Sequence, residues 1–118
     1  MKDKITVYER PTCSKCREMS KLLKEAGVDF EKINYYIEPL SATKIAELLK
    51  KMDMPARSLL RTSESIYKEL GLAKADLSEK ELIALMAKHP DLMQRPIVVR
   101  GDKAVLGRPT ENVHALLK

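Results

Sequence analysis

The chain has 118 residues, with 22 Lys and Arg against 17 Asp and Glu, two Cys, no Trp and 44% apolar residues. That length fits one domain able to bury a proper core without disulfide staples or a structural metal. No apolar run approaches the roughly 18 residues of a membrane span, and the N-terminal residues pass straight into an alternating pattern with no signal-peptide segment, so a soluble, cytoplasmic protein is expected. The net charge of +5 is scattered among acids, and the one Phe and four Tyr form no stacking motif. The balance therefore reads as an ordinary solvated surface and not as a nucleic-acid face, with a basic pocket for a small anion left open.

Lys4-Ile5-Thr6-Val7-Tyr8 alternates polar and apolar and predicts a short strand. After the break at Pro11-Thr12, Met19, Leu22, Leu23 and Ala26 recur at i, i+3, i+4 and i+7, the stripe of an amphipathic helix, with Gly27 placed to end it. Residues 28–35 form a second extended segment, closed by Pro39. Strand, helix and strand in that order imply parallel strands joined by a right-handed crossover. Ser41 then caps a helix carrying Ile45, Leu48, Leu49 and Met52, with Pro55 beyond it. A short helix over residues 64–70 stops at Gly71. Ser78 with Glu81 makes a capping box for a third, with Leu82, Leu85, Met86 and His89 on one face before Pro90. The middle is thus expected to be all helical.

Ile97-Val98-Val99-Arg100 and Lys103-Ala104-Val105-Leu106 flank Gly101-Asp102, a two-residue hairpin signal. Thr110 caps a final helix with Val113, Leu116 and Leu117 inward. The order is βαβ, a helical insert over about residues 41–90, then ββα. That is an α/β, thioredoxin-like arrangement in a single domain, with no repeat, low-complexity tract or linker.

Cys13-Ser14-Lys15-Cys16 falls between the first strand and the first helix. Cys13 is expected near the helix N-cap, where unpaired N–H groups and the positive end of the macrodipole favour a thiolate. Arg10, Lys15 and Arg17 add positive charge nearby, and Cys16 is one turn in, so Cys13 is the better nucleophile. A structural disulfide is not expected in a reducing compartment. Zinc needs four ligands, and only His89 and His114 remain, 25 residues apart and without ligand spacing, so no metal is expected. An inert pair is the bland alternative, but C-x-x-C after a strand and opening a helix reads as redox chemistry.

Arg57, Arg61, Arg95 ahead of Pro96, and Arg108 within Gly107-Arg108-Pro109 are candidates for an anion pocket. Arg57 and Arg61 share a face if their segment is helical, and Arg95 precedes a proline, so its backbone is expected to be extended. Taken singly each arginine reads as a surface residue, and spacing alone does not bring them together. His89, His114 and the six Met read as structural.

Four segments carry a resemblance in one register over essentially the full chain. They are Ile5-Thr6-Val7-Tyr8 leading to Pro11-Thr12-Cys13, Ser58-Leu59-Leu60-Arg61, Gln94-Arg95-Pro96-Ile97-Val98-Val99, and Gly107-Arg108-Pro109-Thr110-Glu111. The chain resembles the ArsC/Spx family, glutaredoxin-type arsenate reductases and their relatives. That resemblance implies a thioredoxin-like fold with a helical insert. It also implies one cysteine attacking arsenate and three arginines holding the oxyanion, positions that match Cys13, Arg61, Arg95 and Arg108, with Arg10 and Pro96 in support. No bound cofactor is implied, only an external thiol donor, either glutathione with glutaredoxin or thioredoxin.

The reductases usually carry Ser where Cys16 stands, and His-Asn where this chain has Glu9-Arg10. Cys16 then reads as a resolving thiol that forms a disulfide with Cys13, while Arg10 supplies charge in place of the His. The regulator branch of the family, which resembles Spx and binds the RNA polymerase alpha subunit, has a similar cysteine pair but lacks a counterpart of Arg61. The complete arginine trio favours the enzyme over that alternative, and over a thiol reductase of another substrate. No direct nucleic-acid partner and no membrane are expected.

Overall fold

Ile5, Val7 and Glu9 point to one face of β1 (Ile5–Glu9), because side chains alternate along a strand, and all three are buried. Tyr8 on the other face is buried as well, since β1 lies inside a four-stranded sheet of order β2-β1-β3-β4. β2 (Phe30–Asn34) runs parallel to β1 with Val7 opposite Lys32, and β3 (Ile97–Arg100) runs antiparallel with Val7 opposite Val98. β4 (Lys103–Leu106) pairs with β3 through the expected two-residue turn, where Gly101 has φ 62°. The parallel β1–β2 pair agrees with the strand, helix, strand reading, and the extended segment expected over residues 28–35 narrows to five residues. The computed structural model describes residues 4–9, 14–74, 76–107 and 110–117.

The helix between β1 and β2, α1 (Ser14–Glu25), packs one face inward, but not the face that periodicity favoured. Cys16, Met19, Ser20 and Leu23 are the buried positions, again at i, i+3, i+4 and i+7. Leu22 is half-buried and Ala26 is exposed in the turn beyond the helix. The cause is where the helix stops. The Gly27 N–H donates to the Lys24 carbonyl and the Val28 N–H to the Leu23 carbonyl, a Schellman closure with Gly27 at φ 70°. The helical stripe therefore ends a turn earlier and starts at Cys16. Met19 and Leu23 join Ile5, Val7, Val98, Val113 and Leu116 in the core of this unit. The chain end begins as a 3-10 turn over Thr110–Val113 and continues as α6 (His114–Leu117), and Arg100 Nη1 donates to the Leu116 carbonyl at 2.7 Å. The single helix expected after Thr110 is thus divided, and Thr110 is itself buried.

By packing, the sheet unit comprises Met1–Glu38 with Arg95–Lys118, and a second unit comprises Pro39–Gln94. In the second unit α2 (Ala42–Met52) is capped by Ser41, whose hydroxyl accepts from the Lys44 N–H, and it buries Ile45, Leu48 and Leu49 as expected. It closes on Asp53 in the left-handed region, a stop that the sequence reading assigned only to Pro55. α3 (Ala56–Leu59), α4 (Ser65–Glu69) and α5 (Glu79–Lys88) follow, α5 with both halves of the Ser78–Glu81 capping box formed. The middle is not entirely helical, because Leu60 leaves α3 with extended backbone and bridges to Met93. For the same reason Arg57 and Arg61 do not share a helical face. Among the described residues, no helix is long and apolar enough to cross a membrane.

Candidate active site

Arg61 lies on the extended segment that follows α3. Its backbone N–H donates to the Leu92 carbonyl at 2.7 Å, and two residues earlier the Leu59 carbonyl accepts from the Gln94 N–H at 2.9 Å. The Gln94 side-chain amide also donates to the Ser58 carbonyl. These bonds stitch residues 58–61 to 92–94 and fix the main chain at Arg61 without any helix there. The Arg61 side chain is mostly covered and its Nε sits 3.2 Å from Glu64 Oε1. Arg57 does something else. Its Nη1 donates to the Leu72 carbonyl at 2.9 Å, which ties α3 to the turn after α4.

Arg95 is only 5% exposed, so it is not the surface residue its composition class favours. It precedes β3 through a cis peptide bond to Pro96, which is itself buried. The Pro96 carbonyl accepts from the Gly107 N–H at 2.8 Å. Gly107 is where the chain passes closest to this corner, since a Cβ there would lie 2.5 Å from Met19 Cε and 2.9 Å from Pro96 Cγ. The absence of a side chain at Gly107 thus leaves room for Met19 of α1 and for Pro96 against the backbone there. Cys16 sits one turn before Met19 on the same inward face and is fully buried. Cys13, Arg10 and Arg108 lie outside the described residues.

Two buried polar residues were given no role by sequence reasoning. Glu9 is 6% exposed at the end of β1, and Ser20 is 8% exposed on the inward face of α1. Both are placed by simple periodicity, Glu9 by the alternation with Ile5 and Val7 and Ser20 by its spacing from Cys16. Burial pushes the Glu9 carboxyl above its ordinary range, and Lys32 opposes that rise. His89 ends α5 with its N–H on the Leu85 carbonyl, and His114 is exposed at the start of α6. Among the described residues, no cluster of three or more His, Cys, Asp or Glu gathers to hold a metal.

The ArsC family model matches residues 8–116. The chain belongs to the ArsC family. It is 47% identical over 114 residues to the uncharacterized protein YfgD of Escherichia coli K12, spanning 96% of each chain. It is 37% identical to the arsenate reductase of Neisseria meningitidis serogroup A, over 96% of this chain and 97% of that one. The solved structure of the arsenate reductase from Vibrio cholerae superposes with a TM-score of 0.91 at 36% identity, over 97% and 98% of the two chains. The ArsC fold is thioredoxin-like, in agreement with the βαβ and ββα halves around a helical insert.

Proposed function

We propose that the chain is an arsenate reductase acting through Cys13, with Arg61, Arg95 and Arg108 holding the oxyanion. The observation that carries this reading is the burial of Arg95. A buried guanidinium is held in a fixed orientation, and its planar fork matches an oxyanion bidentately. Relatives named arsenate reductases align with nearly the whole chain and support the same substrate. In this reading the Pro39–Gln94 unit is an insert within one functional domain, and Arg10 and Pro96 support the site. A cytoplasmic location belongs to the same reading, because that compartment supplies reduced thiols.

The chemistry runs as follows. The Cys13 thiolate attacks arsenic and displaces hydroxide or water, giving a thiol–arsenate adduct. The Cys16 thiolate then attacks the Cys13 sulfur. The arsenic–sulfur electron pair passes to arsenic, arsenite leaves, and a Cys13–Cys16 disulfide remains. An external thiol, from thioredoxin or from glutathione with glutaredoxin, reduces that disulfide by exchange. In this reading the resolving thiol of Cys16 comes from the buried, inward face of α1. The test is arsenate-dependent NADPH oxidation coupled to each thiol system in turn. Turnover with at least one is expected, and no arsenate-dependent oxidation with either overturns the assignment.

A further inference from the structure

A cleft of about 530 Å³ opens in the sheet unit beside α1, a volume within the range of small-molecule sites. Its rim is cationic. Arg17, Lys21 and Lys24 stand at i, i+4 and i+7 along α1 and Lys32 faces them from β2, with the carboxylate of Glu25 among them. Its inner wall is Glu9 and Ser20, each more than nine-tenths buried. Glu9 Oε1 and Ser20 Oγ are sealed from water, and neither has a hydrogen-bond partner among the described residues. Unpaired buried polar atoms are costly, so a native fold that retains two on the wall of one cleft calls for an explanation.

We propose that this cleft binds a small hydroxylated phosphate ester, with its phosphate on the cationic rim and a hydroxyl meeting Glu9 and Ser20. A dianionic phosphate suits several cations gathered within one opening. A hydroxyl both donates and accepts, so it pairs with the Ser20 hydroxyl and with the Glu9 carboxyl in either protonation state. Binding at the inner wall therefore requires the Ser20 and Glu9 side chains to turn these sealed atoms toward the incoming group. A bare oxyanion would satisfy the rim and leave the inner wall unpaired. None of these residues belongs to the Arg61, Arg95 and Arg108 set, so the site stands independently of the arsenate reading.

The test is an NMR titration of the isotope-labelled full chain with glycerol phosphate, inorganic phosphate and glycerol. Glycerol phosphate is expected to give saturable amide shifts at Glu9, Ser20, Lys21 and Lys32, with inorganic phosphate several-fold weaker and glycerol silent. Ser20→Ala should weaken glycerol phosphate by roughly fivefold, the worth of one neutral hydrogen bond. The double variant Lys21→Glu/Lys24→Glu changes two exposed side chains, keeps the fold by circular dichroism, and should lose the saturable shifts with arsenate turnover unchanged. No saturation at millimolar glycerol phosphate, equal affinity for inorganic phosphate, or normal binding by the double variant overturns the proposal.

Discussion

Cys16 and Arg95 are the residues whose surroundings change most between sequence and structure. Both are buried; Cys16 lies on one of two stripes that fit the helical period, and nothing local marks the burial of Arg95. Under the proposed mechanism, Cys13→Ser loses all arsenate-dependent NADPH oxidation with either thiol system. Cys16→Ser tests the resolving step, since turnover with thioredoxin is lost when no internal disulfide can form; full thioredoxin-coupled turnover in this variant would remove that step. Glu9 makes a prediction of a different kind. Its carboxyl titrates above its ordinary value of 4.5, with Lys32 of β2 and the Arg17, Lys21, Lys24 and Glu25 side chains of α1 lining the same cleft. The folded state therefore holds this proton more tightly than the unfolded chain does. The stabilisation is complete below the unfolded value and fades as pH rises through the folded one. Glu9→Gln should leave the urea midpoint nearly unchanged at about pH 4 and raise it relative to the parent at about pH 8; an equal shift at both would show that the carboxyl is not the titrating cause. The cysteine pair stands out in the sequence because its spacing spans four consecutive residues. The buried guanidinium does not, because a solvated and a buried arginine share the same neighbours in sequence and differ only in what folds over them.

At the scale of elements, the chain signals its boundaries through local hydrogen bonding, and those signals were the readable ones. Ser41, the Ser78–Glu81 capping box, Gly27 and the Gly101-Asp102 turn all do what their residue types dictate. Ser78→Ala should cost about 1 kcal/mol in urea unfolding. What remained hidden were devices reaching across elements. Both Glu79 carboxylate oxygens lie 3.0 Å from the Ala56 N–H, so the first turn of α5 satisfies the start of α3 across 23 residues of chain. No local pattern records such a partner. The inward face of α1 was misplaced for a related reason. Two apolar stripes offset by three residues both fit the helical period, and the choice depended on where the Schellman closure cut the helix. Gly107→Ala tests the tightest approach. The added methyl meets Met19 and Pro96, and overpacking of this kind costs roughly 1–3 kcal/mol. An unchanged urea midpoint in that variant would mean the corner relaxes freely.

For the molecule as a whole, the order of elements was legible and the pairing across the middle segment was not. Periodicity found the βαβ and ββα halves, yet the sequence reading took the middle as all helical. The backbone stitching of residues 58–61 to 92–94 depends on a bridge between Leu60 and Met93 that lies beyond any local window. The arsenate reading also has a whole-molecule consequence. A ligand that binds only the folded chain stabilises it by mass action, by about 2.7 kcal/mol at a hundredfold excess over Kd. Arsenate should therefore raise the melting temperature of the parent, and Arg95→Ala should abolish that rise; an equal rise in the variant would take Arg95 out of the oxyanion set. The sheet order also bears on how the protein behaves in a crowded solution. β2 is an outer strand of the described sheet, and its backbone groups on the side away from β1 pair with no other strand among the described residues, an edge of the kind that can template another chain. Glu31 and Lys32 lie exposed along it, and adjacent opposite charges in the middle of a five-residue strand repel a register-matched copy and keep its water. Colloidal behaviour and the proposed phosphate cleft therefore draw on the same lysine, so replacing Lys32 by an apolar residue should promote self-association while it weakens the rim.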